Sequence, residues 1–239
     1  MIDSELLLSG LRVLELGHIV SGPAAGLILA DLGADVIKIE RPEGGDQSRA
    51  RPDRSMFLTF NRNKRSMVLD LKSPKGKEVF FALLKTADIV VDNYAPGVME
   101  KLGLGYDPMS GINPGILYCS IKGFLPGPYG DRPLLDEPAQ MMGGLAYMTG
   151  PPGQPLRAGT SIIDIGAAMF GIVGLLAALY KRKETGRGQR LRVGLFETTV
   201  FFVAQHMATA AVTGQCPAPV PERLQGKGVG WAIYRIFTT

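Results

Sequence analysis

The strongest constraint on the fold is a regular alternation of short apolar segments with helical segments in the first half of the chain. Each apolar segment is six or seven residues long and rich in branched residues, which is typical of a buried strand. The segments span 11–16, 35–40, 66–71, 87–92 and 115–121. Pro23 and Ser73 begin predicted helices over 23–32 and 73–85, and a shorter helix is predicted over 96–102. Because strands joined by helices run parallel, the pattern predicts an α/β fold with a doubly wound, Rossmann-like parallel sheet.

The second half of the chain predicts a different organisation. Residues 122–160 form long loops around a helix at about 138–147, and an apolar helix follows from Asp164 to Tyr180. A strand over 190–195 and a helix over 197–212 come next. We therefore expect a large domain over 1–213, a Pro/Gly-rich linker over 214–230, and over 231–239 the start of a smaller domain that is mostly missing from this chain.

Composition narrows the classes of function. The chain has 239 residues, 46% hydrophobic and 20% charged, with a net charge of +4 that is concentrated in six basic side chains over 181–192. Nucleic-acid binding favours a longer basic face with interleaved aromatic residues, so we expect no nucleic-acid partner. Two cysteines and two histidines are too few for a disulfide framework or for most metal sites and histidine triads, so no metal is expected.

The N-terminus and the apolar helix bear on localisation. Met1 to Glu5 lack the basic segment of a secretory signal. The long apolar helix is interrupted by Gly166, Gly171 and Gly174 and is interpreted as a core helix too short for a bilayer. We therefore expect a reduced, cytoplasmic protein with no membrane partner.

The first strand–helix turn invites comparison with dinucleotide-binding folds. Its glycines lie at Gly17, Gly22 and Gly26, which is not the spacing that admits a pyrophosphate, so NAD binding is disfavoured. The helix that begins near Ser21 still offers a general anion site. Arg41, just after the second strand, adds a positive charge there or is simply a solvated strand end.

Asp164 stands at the beginning of the long apolar helix and has two interpretations. As an N-cap its carboxylate would accept the unpaired helix N–H groups. As a nucleophile it would be kept ionised by those same groups and by the helix dipole. This stretch alone favours the cap.

Six segments together change that balance. They are RVLEL at 12–16, GADVIKIERP at 33–42, NKRS at 63–66, ADIVVDNY at 87–94, Gly97 and TGRGQ at 185–189. In this order they resemble CoA-transferase family III, the CaiB/BaiF group of formyl-CoA transferase and carnitine CoA-transferase. The resemblance implies a doubly wound large domain, a smaller second domain, and a dimer of two interlocked chains, with a heteromer as the alternative.

The resemblance also implies the chemistry. The family nucleophile is an aspartate twenty-one residues before the TGRGQ turn, and Asp164 stands at that distance from Thr185. Covalent transfer through its carboxylate would exchange CoA between an acyl-CoA and a small carboxylic acid. CoA and acyl-CoA enter as substrates, and no permanently bound cofactor is expected.

The positions that match the family's CoA contacts are spread along the chain. Lys101 replaces a common arginine, which keeps the charge but loses the bidentate fork. The predicted contacts are His18, Ile19, Val20, Ser21, Arg41, Leu69, Lys72, Asn93, Tyr94, Ala95, Lys101 and Asp136. Taken alone, Lys72 and Lys101 are better explained as solvated surface charges.

Two departures from the family pattern bear on the reaction. Racemases of this fold carry a histidine at the position of Leu135, and without a second base a proton cannot reach the opposite face of a substrate. Val20 stands where formyl-CoA transferase has a polar side chain, which predicts a pocket not built for oxalate. A CoA-transferase is therefore favoured, with an acyl-CoA racemase or isomerase and a noncatalytic CoA-binding subunit as alternatives.

Overall fold

The computed structural model describes residues 6–225, and its centre is a six-stranded sheet. All neighbouring strands are parallel and lie in the order β3-β2-β1-β4-β5-β6. The strands are β1 (Arg12–Leu16), β2 (Asp35–Glu40), β3 (Arg65–Val68), β4 (Ile89–Asp92), β5 (Leu117–Lys122) and β6 (Arg190–Gly194). The predicted doubly wound parallel α/β fold is confirmed.

Ten α-helices lie between and after the strands within the described residues. They are α1 (Ser21–Asp31), α2 (Ser55–Asn61), α3 (Pro74–Leu84), α4 (Val98–Lys101), α5 (Tyr106–Ile112), α6 (Asp136–Met142), α7 (Leu145–Thr149), α8 (Ile162–Thr185), α9 (Leu195–Thr213) and α10 (Val220–Gln225). Ser73 caps α3 as predicted, accepting a hydrogen bond from the Gly76 N–H at 3.0 Å. The single helix predicted at 138–147 is wrong, because Gly143 and Gly144 divide it into α6 and α7.

The sheet separates two hydrophobic layers. Val13, Ile89 and Leu117 share one layer with residues of α1 and α8. Leu14, Val90 and Tyr118 share the other with residues of α3, α4 and α5. This alternation along each strand follows from the two-residue period of a strand that is buried on both faces.

The position of α8 gives one connection an unusual hand. β2 lies on one side of β1 and β6 lies on the opposite side of β5, yet α1 and α8 pack on the same face of the sheet. The two crossovers therefore have opposite hands. With β1-α1-β2 right-handed, as such units almost always are, β5-α8-β6 is left-handed. Within the described residues, the other face of β6 consequently has no crossover helix above it.

The C-terminal part of the described chain differs from the expected linker. Gly214 ends α9, but Val220–Gln225 forms α10 and contacts α7. The predicted strand at 231–239 and the rest of the linker lie outside the described residues. The domain boundaries therefore stay predictions.

Two helices meet the length and hydropathy of a membrane span. They are Ile162–Thr185 and Leu195–Thr213. The expectation that the long apolar helix is too short for a bilayer is therefore wrong on length. However, buried residues of α8 such as Ala167, Ile172 and Leu175 belong to the layer that packs on the sheet.

Candidate active site

The strand order reverses between β1 and β4, and open α/β sheets bind ligands at the carboxyl ends of strands at such a point. The segments that leave these two strands are joined by Asn93. Its side-chain carbonyl accepts the His18 N–H at 2.9 Å, and its amide donates to the His18 carbonyl at 2.9 Å and to the Ser21 hydroxyl oxygen at 3.0 Å. The structure thus brings three predicted site residues together.

The turn after β1 is tightly constrained. Ile19 has a φ of 65°, which is strained for a β-branched residue, and its N–H donates to Asp46 Oδ1 at 3.1 Å. A Cβ built on Gly22 would lie 2.7 Å from Gly17 Cα. The glycines therefore allow the two ends of the turn to touch, which explains their departure from a pyrophosphate-binding spacing.

A buried ion network lies beneath this turn. Lys38 Nζ contacts Glu15 Oε1, Asp46 Oδ2 and the Gly17 carbonyl, each at 2.8 Å, and Lys64 Nζ contacts Glu15 Oε2 at 2.6 Å. Burial raises the pKa of Asp46, but its contacts with Lys38 and Ser48 outweigh burial and hold that pKa at about 2. Sequence reasoning missed this network, although Glu15 and Lys38 are conspicuous charges within apolar strands.

His18 presents a buried imidazole at the same turn. Its ring lies edge-on to Tyr94 with centroids 5.7 Å apart, and its Nδ1 is buried with no hydrogen-bond partner among the described residues. Burial is the main cause that lowers the pKa of His18 below 6.5, and Asp46 opposes it. The ring is therefore neutral at pH 7.

Asp164 lies in the first turn of α8 but does not cap it. The N-cap residue is Ser161, and the N–H groups of Ile163 and Asp164 donate to Asp136 Oδ2 at 2.8 and 3.1 Å. The cap interpretation of Asp164 is therefore wrong, because a carboxylate from α6 takes that role. The Asp164 carboxylate is left for another use.

The environment of Asp164 also differs from the expected one. Burial, with a smaller contribution from the Asp136 charge, raises its pKa to about 6, while a hydrogen bond from the Ser21 hydroxyl opposes the rise. The expectation that helix N–H groups hold the carboxylate strongly ionised is wrong, because those groups bind Asp136. At pH 7 Asp164 is still mostly ionised.

Asp136 is thus placed in the framework of the site. It is buried, and its Oδ1 accepts from Gln140 Nε2 at 2.6 Å while Oδ2 caps α8. Both oxygens accept hydrogen bonds within the protein, and the predicted contact of Asp136 with pantetheine stays a prediction. The neighbouring Leu135 side chain is 70% exposed.

A cleft of about 450 Å³ opens on one side of the first turn. Acidic side chains, including Glu40, Glu43 and Asp70, share its lining, so its charge is mixed. Of the predicted CoA contacts, it is lined by His18, Arg41, Leu69, Lys72 and Tyr94.

The remaining predicted residues lie outside that lining. Val20 is only 2% exposed, whereas Ala95 and Lys101 are on the surface. The residues outside the lining are Ile19, Val20, Ser21, Asn93, Ala95, Lys101, Asp136 and Asp164. The first turn connects the two parts, because His18 lines the cleft and Ser21 is close enough to Asp164 to lower its pKa. No cluster of three potential metal ligands occurs in residues 6–225.

Residues 8–239 match the profile of CoA-transferase family III. The chain belongs to this family. Among family III relatives, a formyl-CoA:oxalate CoA-transferase from Rhodopseudomonas palustris (strain TIE-1) is 45% identical over 195 residues, which are 79% of this chain and 46% of that protein. A protein of the same name from Streptomyces avermitilis is 45% identical over 194 residues, covering 79% and 47%. The chain spans about half the length of these curated relatives.

Solved structures agree with the family III assignment. A CaiB/BaiF family protein from Brucella suis superposes with a TM-score of 0.87 at 36% identity, covering 90% of this chain and 60% of that one. A hypothetical protein from Mycobacterium tuberculosis gives 0.82 at 33% identity, covering 90% and 62%. The predicted family resemblance is confirmed.

Proposed function

We propose that the protein transfers coenzyme A between carboxylic acids, with Asp164 as the covalent nucleophile. Membership of CoA-transferase family III supports the reaction class. The observation that carries the assignment is the division of tasks at α8, where Asp136 caps the helix and leaves the Asp164 carboxylate beside the first turn. An aspartate needed only as a cap would itself accept those N–H groups.

The reaction proceeds by four exchanges at carbonyl carbons. An Asp164 oxygen attacks the donor thioester, the C–S bond breaks, and CoA thiolate leaves a mixed anhydride. The thiolate attacks the Asp164 acyl carbon and releases the donor carboxylate, which gives an aspartyl-CoA thioester. The acceptor carboxylate then attacks this thioester, and the released thiolate attacks the acceptor's acyl carbon, which restores Asp164 and conserves the thioester bond.

The surroundings of Asp164 suit this chemistry. A carboxylate whose pKa is about 6 is ionised at neutral pH but poorly solvated, which favours attack on a carbonyl. Asn93 donates to the Ser21 oxygen, so the Ser21 hydroxyl hydrogen is directed elsewhere, toward Asp164. These contacts orient the nucleophile without neutralising it.

We assign the nucleotide part of CoA to the cleft beside the first turn. Arg41 and Lys72 supply positive charge for its phosphates, and Leu69 and Tyr94 supply apolar surface. The first turn, from His18 to Ser21, then leads the pantetheine toward Asp164. Lys101 lies outside the cleft lining and contributes at most from its rim.

Formyl-CoA and oxalate are the first donor and acceptor to test, because the curated relatives carry those names. Val20, which stands where formyl-CoA transferase has a polar side chain, predicts against oxalate. Its side chain, however, is buried and does not line the cleft. A panel of oxalate, other dicarboxylates, hydroxyacids and carnitine decides the acceptor. We further propose a cytoplasmic, interlocked homodimer, with a heteromer as the alternative.

The decisive experiment compares two aspartates in first turns of helices. Asp164→Asn should lower CoA transfer by at least a hundredfold while CoA affinity changes less than threefold, since covalent catalysis is lost and binding is kept. Asp107→Asn, at the exposed start of α5, is the matched control and should keep full activity. Both variants are made and assayed in the full natural protein.

Chemical trapping separates the alternatives. Incubation with an acyl-CoA and hydroxylamine should mark Asp164 in the mass spectrum, and Asp164→Asn should remove the mark. An unmarked protein with normal CoA affinity would support the noncatalytic subunit. Rapid exchange of the α-proton of a 2-methylacyl-CoA in heavy water would support a racemase.

A further inference from the structure

A second groove, of about 460 Å³, lies on the opposite side of α4 from the cleft assigned to CoA. Its floor is the surface of β5 and β6 on the face that carries α3 and α5. It exists because the β5-α8-β6 crossover runs over the other face, so no crossover helix from the described part of the chain covers this part of the sheet. The loop that follows β5 and the start of α4 form its walls, lined by Phe124, Pro126, Gly127, Pro96 and Gly97.

The floor holds two polar side chains that have no partner in the described part of the chain. Ser120 is only 1% exposed, and its hydroxyl has no hydrogen-bond partner there. Arg192 is exposed and makes no hydrogen bond or ion pair with any described residue. Ser120 and Arg192 are register partners on adjacent strands, so their side chains project from the same face.

The other charges around the groove are partly satisfied. Lys122 Nζ binds Asp92 and donates to the Tyr94 carbonyl at 2.7 Å. Arg190 pairs with Glu100 at 3.2 Å. Asp131 is the remaining acid in the lining. Among the described residues that line the groove, the unpaired positive charge is therefore that of Arg192, with Lys122 and Ser120 on the same face of β5.

We propose that Ser120, Lys122 and Arg192 form a binding site for a phosphate group, carried either by inorganic phosphate or by a small organic phosphate. A buried hydroxyl without a hydrogen-bond partner destabilises the fold, and an oxyanion that accepts a hydrogen bond from it removes that cost. The arginine supplies a planar fork and the lysine a further donor, the combination that suits a tetrahedral dianion. The groove is large enough for an organic phosphate whose apolar part rests on Phe124 and Pro126.

The test is calorimetric titration of the natural protein, kept saturated with CoA, with inorganic phosphate in one arm and glycerol 3-phosphate in the other. Arg192→Gln should lower the affinity for whichever of the two phosphates binds more tightly by at least tenfold, the effect of losing a bidentate charged contact. Arg187→Gln removes the same charge from the nearby turn outside the groove and should leave the affinity within twofold. Ser120→Ala should weaken binding as well, yet raise the melting temperature without phosphate.

Separate outcomes identify the source of a failure. Equal losses in Arg192→Gln and Arg187→Gln would mean unspecific attraction and overturn the site, as would an absence of binding by the unsubstituted protein. Arg41→Gln should weaken CoA without affecting phosphate. CoA binding that depends on Arg192 would show that the groove belongs to the CoA site and would also overturn the proposal.

Discussion

At the scale of single residues, two carboxylates near the start of α8 are distinguished by their surroundings. Both Asp136 oxygens accept hydrogen bonds, whereas Asp164 is half-buried beside the Ser21 hydroxyl, which lowers its pKa. The first accepts hydrogen bonds from helix N–H groups, whereas burial destabilises the ionised form of the second. Sequence placed both residues in the site but could not say which one caps the helix, because the capping residue comes from a different helix.

The raised pKa of Asp164 predicts a stability cost. A carboxyl whose folded pKa is raised from 3.8 to about 6 adds stability below pH 3.8, and this contribution is lost as pH rises through 6. Asp164→Asn should therefore stabilise the fold at pH 8, by up to about 3 kcal/mol at 1.36 kcal/mol per pKa unit. Thermal unfolding at pH 8 and pH 4 checks this; an equal difference at both pH values would contradict it.

The same geometry predicts an effect of Asp136 on the nucleophile. Asp136→Asn removes the neighbouring negative charge, so the pKa of Asp164 should fall and the acid limb of the rate profile should move to lower pH. Stability should drop by about 1 kcal/mol because the α8 cap is weakened. Glu137→Gln, an exposed neighbour, is the control and should change neither property. An unmoved acid limb in Asp136→Asn would contradict the coupling.

At the scale of elements, the apolar period and the punctuation by Gly and Pro predicted all six strands to within a few residues. β2 was predicted with its observed bounds, Asp35–Glu40. Helices α2 and α5 were missed because they are only seven residues long and lack a strong apolar period. The hand of the β5-α8-β6 crossover could not be predicted, because it depends on which sheet face α8 covers and not on the pattern of α8 itself.

Helix α1 offers a prediction about close packing. A Cβ on Gly26 would lie 1.9 Å from Glu15 Oε2, so Gly26→Ala must displace the buried Glu15–Lys38–Lys64 network. We expect a loss of about 3 kcal/mol, typical of a disrupted buried ion pair. Gly111→Ala in α5 meets no atom within 4 Å and should stabilise by about 0.5–1 kcal/mol. Urea unfolding of both variants checks the contrast; similar shifts would contradict it.

At the scale of the whole molecule, α8 and α9 expose an apolar face. Its members are Met169, Val173, Tyr180, Phe201 and Val212. Exposed apolar patches of this kind mark surfaces that associate with protein or membrane. Packing against another polypeptide is the interpretation consistent with the proposed interlocked dimer.

This face predicts the behaviour of the 239-residue chain in solution. Val173 is 65% exposed, and Val173→Glu should reduce self-association and binding of a hydrophobic dye by placing a charge in the patch. Val79→Glu, at an exposed position of α3, is the matched control and should change neither self-association nor dye binding. Light scattering and dye fluorescence measure both effects. A monodisperse unsubstituted chain that does not bind dye would contradict the prediction.

Strand β6, at one edge of the sheet, finally predicts an order in which the strands fold. Among residues 6–225, β6 pairs with β5 alone, and residues 123–189 intervene between the two strands. Bringing such distant segments together costs loop-closure entropy before any hydrogen bond between the two strands can form. β6 is therefore the strand expected to join the sheet last and to open first, so its amide hydrogens should exchange with solvent faster than those of β1 and β4 at the centre.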